Sequence, residues 1–550
     1  MRGLMKWVFG VALVLVCAVS AQADVKLHEL FTDGMVLQRD TKVPVWGTAD
    51  EGEHVMVDFC GQRVSTDAKD GKWMIVLKDL KAGGPFTMTV SWRNDILAIP
   101  GAKTIVLKDV YVGEVWVGSG QSNMQMTVSG CVNAEQDIAN SKNPMVRLYT
   151  VPRRVSPQPE SNLQVKAVAP GQNPGLECRW VECGPDTVGS FSAILYFFGR
   201  DLQKTLNCPV GLIHSSWGGT PAQAWTAKEH LAAKPELKPI LEAYDHALQV
   251  LPQAMEVYNK QVAAWKEAVQ KAKAEGKPLP RQPGQPMGPN SPNSPAGLYN
   301  GMIAPLIPYT IKGVVWYQGE SNAGNAVQYR TLFPTMIKCW LRAWGEGNFP
   351  FLFVQLAAFK AVSPDPQDPD WAWLREAQTM ALSLPNTGMA SAIDVGDQTN
   401  IHPKRKQQVG ARLALCARAI AYGEKIEYSG PMYKKMKVQG STAIIRFTHL
   451  NDGLCVKEGN TPEANGEMKG FAICGPDKKF VWAKAQIVGS EVVVSSPEVQ
   501  KPVAVRYAWA DYPLCNLCNR LGLPANPFRT DTFEQVKPVP PAPAAPAKKQ

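Results

Sequence analysis

The stretch DVYVGEVWVGSGQSNM, residues 109–124, decides the fold. Val112–Val117 is a near-continuous apolar run with no polar face, the pattern of a strand covered on both sides. It stops at Gly118-Ser119-Gly120, and Gln121, Ser122 and Asn123 follow. Turns favour Gly, Ser and Asn, so the cluster reads first as a strand end. A serine just past a strand of a parallel sheet also stands where such sheets bind ligands. The rest of the chain must choose between a turn and a nucleophile.

Outward from this strand the same texture repeats. Val210–Ile213, Val314–Tyr317, Phe351–Gln355 and Met389–Ile393 are short apolar runs separated by helical stretches. That alternation predicts an α/β unit with a parallel sheet over 109–423. Residues 228–275, rich in Ala, Lys, Glu, Leu and Gln, predict helix, and the Pro-rich stretch up to 295 predicts a loop. Together, 228–295 reads as an insertion into the α/β unit, a lid or a wall of the site. Residues 24–108 read as all-β and sandwich-like. Val43–Trp46, Val55–Phe59, Trp73–Leu77 and Phe86–Val90 are their strands, and Gly, Asp and Pro turns separate them. Strands return over 424–535 as a second β domain, and 536–550 is a Pro/Ala tail.

The first 23 residues carry Arg2 and Lys6, an apolar run too short to span a membrane, and Ala21-Gln22-Ala23. They predict a cleaved secretory leader, a mature chain from Asp24, and a secreted or periplasmic location. No later run is long and apolar enough to predict a span. Net charge falls from +10 to +8 without the leader. The basic residues are scattered without interleaved aromatics, which argues for solubility and against nucleic-acid binding. Of 12 cysteines, Cys17 leaves with the leader. Export permits disulfides, with Cys178 and Cys183 a local candidate pair. Cys515 and Cys518 form a single CxxC without the second pair a zinc site needs, so no metal is expected.

A serine nucleophile needs a base. His28, His54 and His449 lie in the β regions, and His230 and His246 in the insertion. His214 sits in the strand-end stretch GLIHSSWGGT, and His402 sits in a loop after another strand, with Asp394 and Asp397 upstream. Such an acid would orient the imidazole. Two further strand ends converge on this chemistry. Gly218-Gly219 offers backbone N–H groups, and Gln318 offers an amide, to an oxyanion. Gln121, Asn123, Glu320 and Asn322, polar neighbours on the same strand ends, are the candidate substrate contacts. Met124 replaces the second glycine of a G-x-S-x-G elbow, so that fingerprint is absent.

GQSNM, HSSWGGTPAQAW, VVWYQGESN and GDQTNIHPKRKQQVGARL closely resemble the blocks of the sialate O-acetylesterase family, a branch of the SGNH/GDSL hydrolases. LFTDGMVLQRDTKVPVWGTA and AVRYAWADYPLCNLCNRLGLPANPFRTD resemble that family's ends, so the likeness spans nearly the whole mature chain. It implies a flavodoxin-like, three-layer esterase domain flanked by β domains, with no cofactor and an O-acetylated glycan or sialic acid as substrate. It also implies Ser122 as nucleophile, His402 as general base, and an oxyanion hole from Gly219, Gln318 and the Ser122 amide. The acidic member departs from the pattern: Thr399 and Asn400 stand where relatives carry Asp. Asp397 is the retained candidate, and a backbone carbonyl orienting His402 is the alternative. Two rival readings stay open, a glycosidase using Glu320 and a non-catalytic glycan-binding relative.

Overall fold

The computed structural model describes residues 25–93, 103–163, 178–458, 461–463 and 466–535. The expected leader and the Pro/Ala tail lie outside the described residues. At the centre is a sheet of β1 (Lys103–Gly120), β2 (Asn143–Thr150), β3 (Trp180–Cys183), β4 (Val210–Ser216), β5 (Gly313–Tyr317), β6 (Phe351–Gln355) and β7 (Thr387–Ser391). Their order is β3-β2-β4-β1-β5-β6-β7. All neighbours are parallel except the edge strand β3, which runs antiparallel to β2. The apolar runs predicted the strands because burial on both faces leaves no polar side: β4, β5 and β6 are buried at every position. β7 ends at Ser391, two residues before the end of the run that announced it.

Helices cover both faces. α1 (Ser122–Gln125) caps the end of β1, and α2 (Ala193–Leu206) lies on the Gly118 face. There a Cβ at Gly118 would stand 2.6 Å from Leu195. α6 (Lys406–Ile420) packs on α2 so closely that a Cβ at Gly410 would come 2.6 Å from that of Phe197. On the opposite face Trp316 of β5 packs edge-on to Trp340 and stacked on Phe333 of α4 (Ala326–Trp344), beside α5 (Asp370–Met380). α3 (Lys238–Ala274) is the predicted helix of the insertion, with only Ala272 fully buried. At 1.5 Å per residue it is about 55 Å long. β4 and β5 flank β1, so the chain leaves β1 toward both sides of the sheet. Its carboxyl end is therefore the switch point where such sheets bind ligands.

All four predicted N-terminal runs are strands, and buried positions alternate with exposed or partly exposed ones in three of them. The long β1 starts antiparallel to Gly83–Arg93 and ends as the central parallel strand. The boundary expected at 108 therefore falls inside one strand. The C-terminal strands pair antiparallel around Ala443, Ile445, Val492, Val494, Val505 and Tyr507. Arg375 of α5 ties them to the centre. Wholly buried, it donates to the carbonyls of Leu356, Ala357, Ala510 and Asp511. Burial lowers its pKa to about 10, and carbonyl acceptors compensate the enclosed charge.

Cys178 and Cys183 are not joined by a disulfide, which corrects the expected pair. The Cys183 thiol instead donates to the Ser141 carbonyl. Cys455 and Cys518, opposite each other on paired strands, bring their sulfurs to 2.8 Å. Chain proximity suggested the first pair, but strand register decides which cysteines meet.

Candidate active site

The turn after β1 is built by backbone approach. Gly120 adopts φ +139°, and a Cβ there would stand 2.1 Å from the Tyr317 carbonyl. Only glycine fits that contact. Gln121 N–H then donates to the same carbonyl at 3.0 Å, and Ser122 opens α1 partly exposed. His402 arrives from the loop between β7 and α6. Its Nε2 lies 2.8 Å from Ser122 Oγ. The two side chains predicted to act together, 280 residues apart in sequence, are thus in hydrogen-bond contact.

Burial, and then the Lys406 charge, hold the His402 pKa below its ordinary value of 6.5. The imidazole is consequently neutral at neutral pH and able to accept a proton. For Nε2 to accept from Ser122, the ring proton must sit on Nδ1. Among the described residues, no partner accepts from Nδ1.

The acid expected to do so is elsewhere. Asp397 Oδ1 accepts from Thr399 N (2.8 Å), Thr399 Oγ1 (2.9 Å) and Asn400 N (2.9 Å), closing its own loop. Those bonds hold its pKa below the usual carboxylate value. Asp394 is gripped by Arg412 through two 2.7 Å bonds, with Lys457 3.6 Å away. Neither carboxylate is bonded to His402. The loop is instead held at its backbone, where His402 N–H donates to Asn400 Oδ1 at 2.9 Å.

Gly219 is exposed, at φ +78°. Its N–H and that of Ser122 have no acceptor among the described residues. Gly218 packs at Ser122, where a Cβ would be 3.2 Å from the serine's, and donates to Gln125 Oε1 at 2.8 Å. Gln318 departs from the expectation. It is wholly buried, and its amide donates to Asn322 Oδ1 (2.7 Å) and Thr220 O (3.3 Å). Its Oε1 accepts from Tyr329 OH at 2.9 Å. With both amide hydrogens engaged, it supports the loops of Thr220 and Asn322 and presents no free donor.

The four candidate substrate contacts are likewise turned inward. Gln121 Oε1 accepts from Gly319 N and Ser321 N. Asn322 accepts from Ala222 N and donates to Gln223. Asn123 Nδ2 donates to Glu320 Oε1 at 2.5 Å. Glu320 Oε2 is enclosed without a partner among the described residues, and burial raises this carboxyl's pKa. A polar residue at a strand end either faces a ligand or ties neighbouring strand ends together, and sequence cannot separate the two. Lys406, buried against Asn123, was missed altogether. In HPKRKQQ it is one of three consecutive basic residues, and nothing local marks it as the buried one. His214 is the other strand-end histidine. It lies within β4, bonded to Ser216 Oγ at 2.6 Å, and burial lowers its pKa to about 3.

A model for carbohydrate esterases described as sialic acid-specific acetylesterases matches residues 292–418, the segment holding Gln318, Glu320, His402 and Lys406. Sialate O-acetylesterase of Homo sapiens is 31% identical over 95% of this chain and 96% of its own. That of Mus musculus is 30% identical over 92% and 94%. Among solved structures, a carbohydrate acetylesterase from Xanthomonas citri superposes with a TM-score of 0.75 at 35% identity, covering 93% of this chain and all of that one. The protein is therefore a carboxylic ester hydrolase of the carbohydrate esterase class. Identity at this level over nearly the full length makes the assignment narrower: the chain belongs to the sialate O-acetylesterase family.

Proposed function

We propose that the chain is an exported O-acetylesterase that clears acetyl groups from sugars through an acyl-enzyme on Ser122. The observation that carries this reading is the 2.8 Å contact between Ser122 Oγ and His402 Nε2 at the carboxyl end of the central strand. His402 Nε2 takes the serine proton as Oγ attacks the acetyl carbonyl. The oxyanion is held by the N–H groups of Ser122 and Gly219, dipoles already aimed before charge develops. The sugar oxygen leaves with the proton from His402. Water, deprotonated by the same nitrogen, then releases acetate and restores the serine. Ser122 and His402 act as a dyad, because the carboxylates near them are committed elsewhere.

The glycosidase reading weakens on the same geometry. It needs two carboxylates flanking a bond, and Glu320 is held by Asn123. Among the described residues, no helix is long and apolar enough to cross a membrane. In this reading the leader is cleaved and the exported mature chain begins at Asp24. The domain division expected from sequence stands as part of this proposal, with 109–423 as the esterase unit between two β domains and β1 shared with the first of them. The substrate is an acetylated sugar, either 9-O-acetylated sialic acid or an acetylated polysaccharide. Acetate release from both, by wild type and Ser122→Ala, tests the reading. Release is expected from the wild type alone, and equal release by both proteins refutes the serine mechanism.

A further inference from the structure

A serine–histidine pair without an acid leaves open what aims the imidazole. The neighbour of the nucleophile supplies an answer. Asn123 is almost wholly buried, and each polar atom of its amide is used. Oδ1 accepts from Lys406 Nζ at 2.5 Å, and Nδ2 donates to Glu320 Oε1 at 2.5 Å. Nδ2 donates as well to the carbonyl of Ile401, the residue before His402, at 3.1 Å. One amide therefore joins the nucleophile's helix, the loop after β5, the histidine loop and the first residue of α6. We propose that the Lys406–Asn123–Glu320 bridge is the positioning device of this site, locking the His402 loop against Ser122 in place of a triad aspartate. The proposal rests on Ser122 and His402 being the reacting pair.

The physical reasons are specific. Lys406 is wholly buried, 5.1 Å over the ring of Tyr317, and Asn123 Oδ1 is the only side-chain acceptor it has among the described residues. A buried ammonium without an acceptor is strongly unfavourable, so the amide's orientation is fixed from the Oδ1 side. Glu320 fixes it from the other side. A cation on the carbonyl and a carboxylate on the N–H polarise the amide in the same sense, which strengthens both bonds. With the amide plane held, the direction of the hydrogen bond to Ile401 is held too. The backbone entering His402 is then pinned from one side by Asn123 and from the other by Asn400.

The titratable groups facing Lys406 are Glu320 and Tyr317 from the β5 end, Cys131 from the segment after α1, and His402. Burial brings the Lys406 pKa down to about 8, so it is charged at neutral pH. That charge opposes protonation of His402. The bridge thus acts on the base in two ways, through its backbone and through its field.

The test measures kcat and KM on an aryl acetate from pH 4.5 to 9, using the full mature chain. Wild type, Asn123→Ala, Lys406→Met and Ser122→Ala are compared, each checked for folding by circular dichroism. In Asn123→Ala, kcat should fall by about 10²-fold, the low end of what a placed general base contributes, with KM nearly unchanged. Lys406→Met should show the same fall. Its acid limb should also move to higher pH, because the cation opposing the imidazolium is gone. A folded Asn123→Ala within about threefold of wild-type kcat, or a folded Lys406→Met with an unmoved acid limb, overturns the proposal. If Lys406→Met does not fold, Asn123→Ala decides alone. Full activity in Ser122→Ala refutes the dyad itself and is a separate failure.

Discussion

Asp397→Asn distinguishes a dyad from a triad by orders of magnitude. The side-chain bonds of Asp397 are all to Thr399 N, Thr399 Oγ1 and Asn400 N, and all three go to Oδ1. Its own N–H donates to Ala358 O at 3.2 Å, a bond no side chain affects. An asparagine Oδ1 accepts the same three hydrogens, so the loop should keep its shape. What is lost is one exposed negative charge not bonded to His402, and water and salt screen such a charge. The expected loss in kcat/KM is therefore under about threefold. A triad aspartate changed in the same way costs about 10⁴-fold, because the histidine takes the wrong tautomer. Initial rates on an aryl acetate at pH 7.5 would separate these values easily. A loss near 10³-fold or more would refute the reasoning, since it would require Asp397 to reach His402 Nδ1 during turnover.

Other perturbations have equally definite outcomes. Gln318→Leu should lower stability by about 2–4 kcal/mol, since it strands the Tyr329 hydroxyl and the Thr220 carbonyl and takes one of two donors from Asn322 Oδ1. Its melting temperature should fall together with activity, whereas a pure oxyanion donor would lose activity without a change in melting. Arg375→Met, which takes a donor from four carbonyls and leaves those of Leu356 and Ala510 with none among the described residues, should cost about 3–5 kcal/mol in denaturant unfolding. Gly120→Ala should abolish soluble, active protein, because its methyl would overlap the Tyr317 carbonyl. In the wild-type pH profile, the base works only when neutral and its pKa is lowered from 6.5. Activity should therefore be lost as pH falls, with the acid limb of kcat/KM centred below 6.5 and a plateau above it.

Much of the fold could be read from the chain because the central strands are buried on both faces and carry few polar positions to blur the pattern, such as Glu114 in β1 and His214–Ser216 at the end of β4. Val314–Tyr317 and Phe351–Gln355 sit where their apolar runs place them. Ser122 and His402 were readable for a related reason: sheets of this kind bring their loops together at the carboxyl end, whatever the distance along the chain. Side-chain direction was not readable. Gln318, Asn322 and Gln121 stand at strand ends as expected, yet each turns inward to bind a neighbouring loop. Asp397 has the right loop and the wrong orientation. Lys406 gave no signal, since burial of a lysine depends on an acceptor 283 positions away. Register, too, lies outside local sequence, which is why Cys455 meets Cys518 while the nearby Cys178 and Cys183 stay apart.

The central claim is that Ser122 is a nucleophile activated by His402. A fluorophosphonate reacts with such a serine and leaves a covalent adduct, so labelling followed by intact mass and peptide mapping reads the claim directly. The account predicts one adduct per chain, located on Ser122, lost in Ser122→Ala and strongly slowed in His402→Ala. Labelling of the wild type at any other residue, or an adduct that forms as fast without His402, would contradict it.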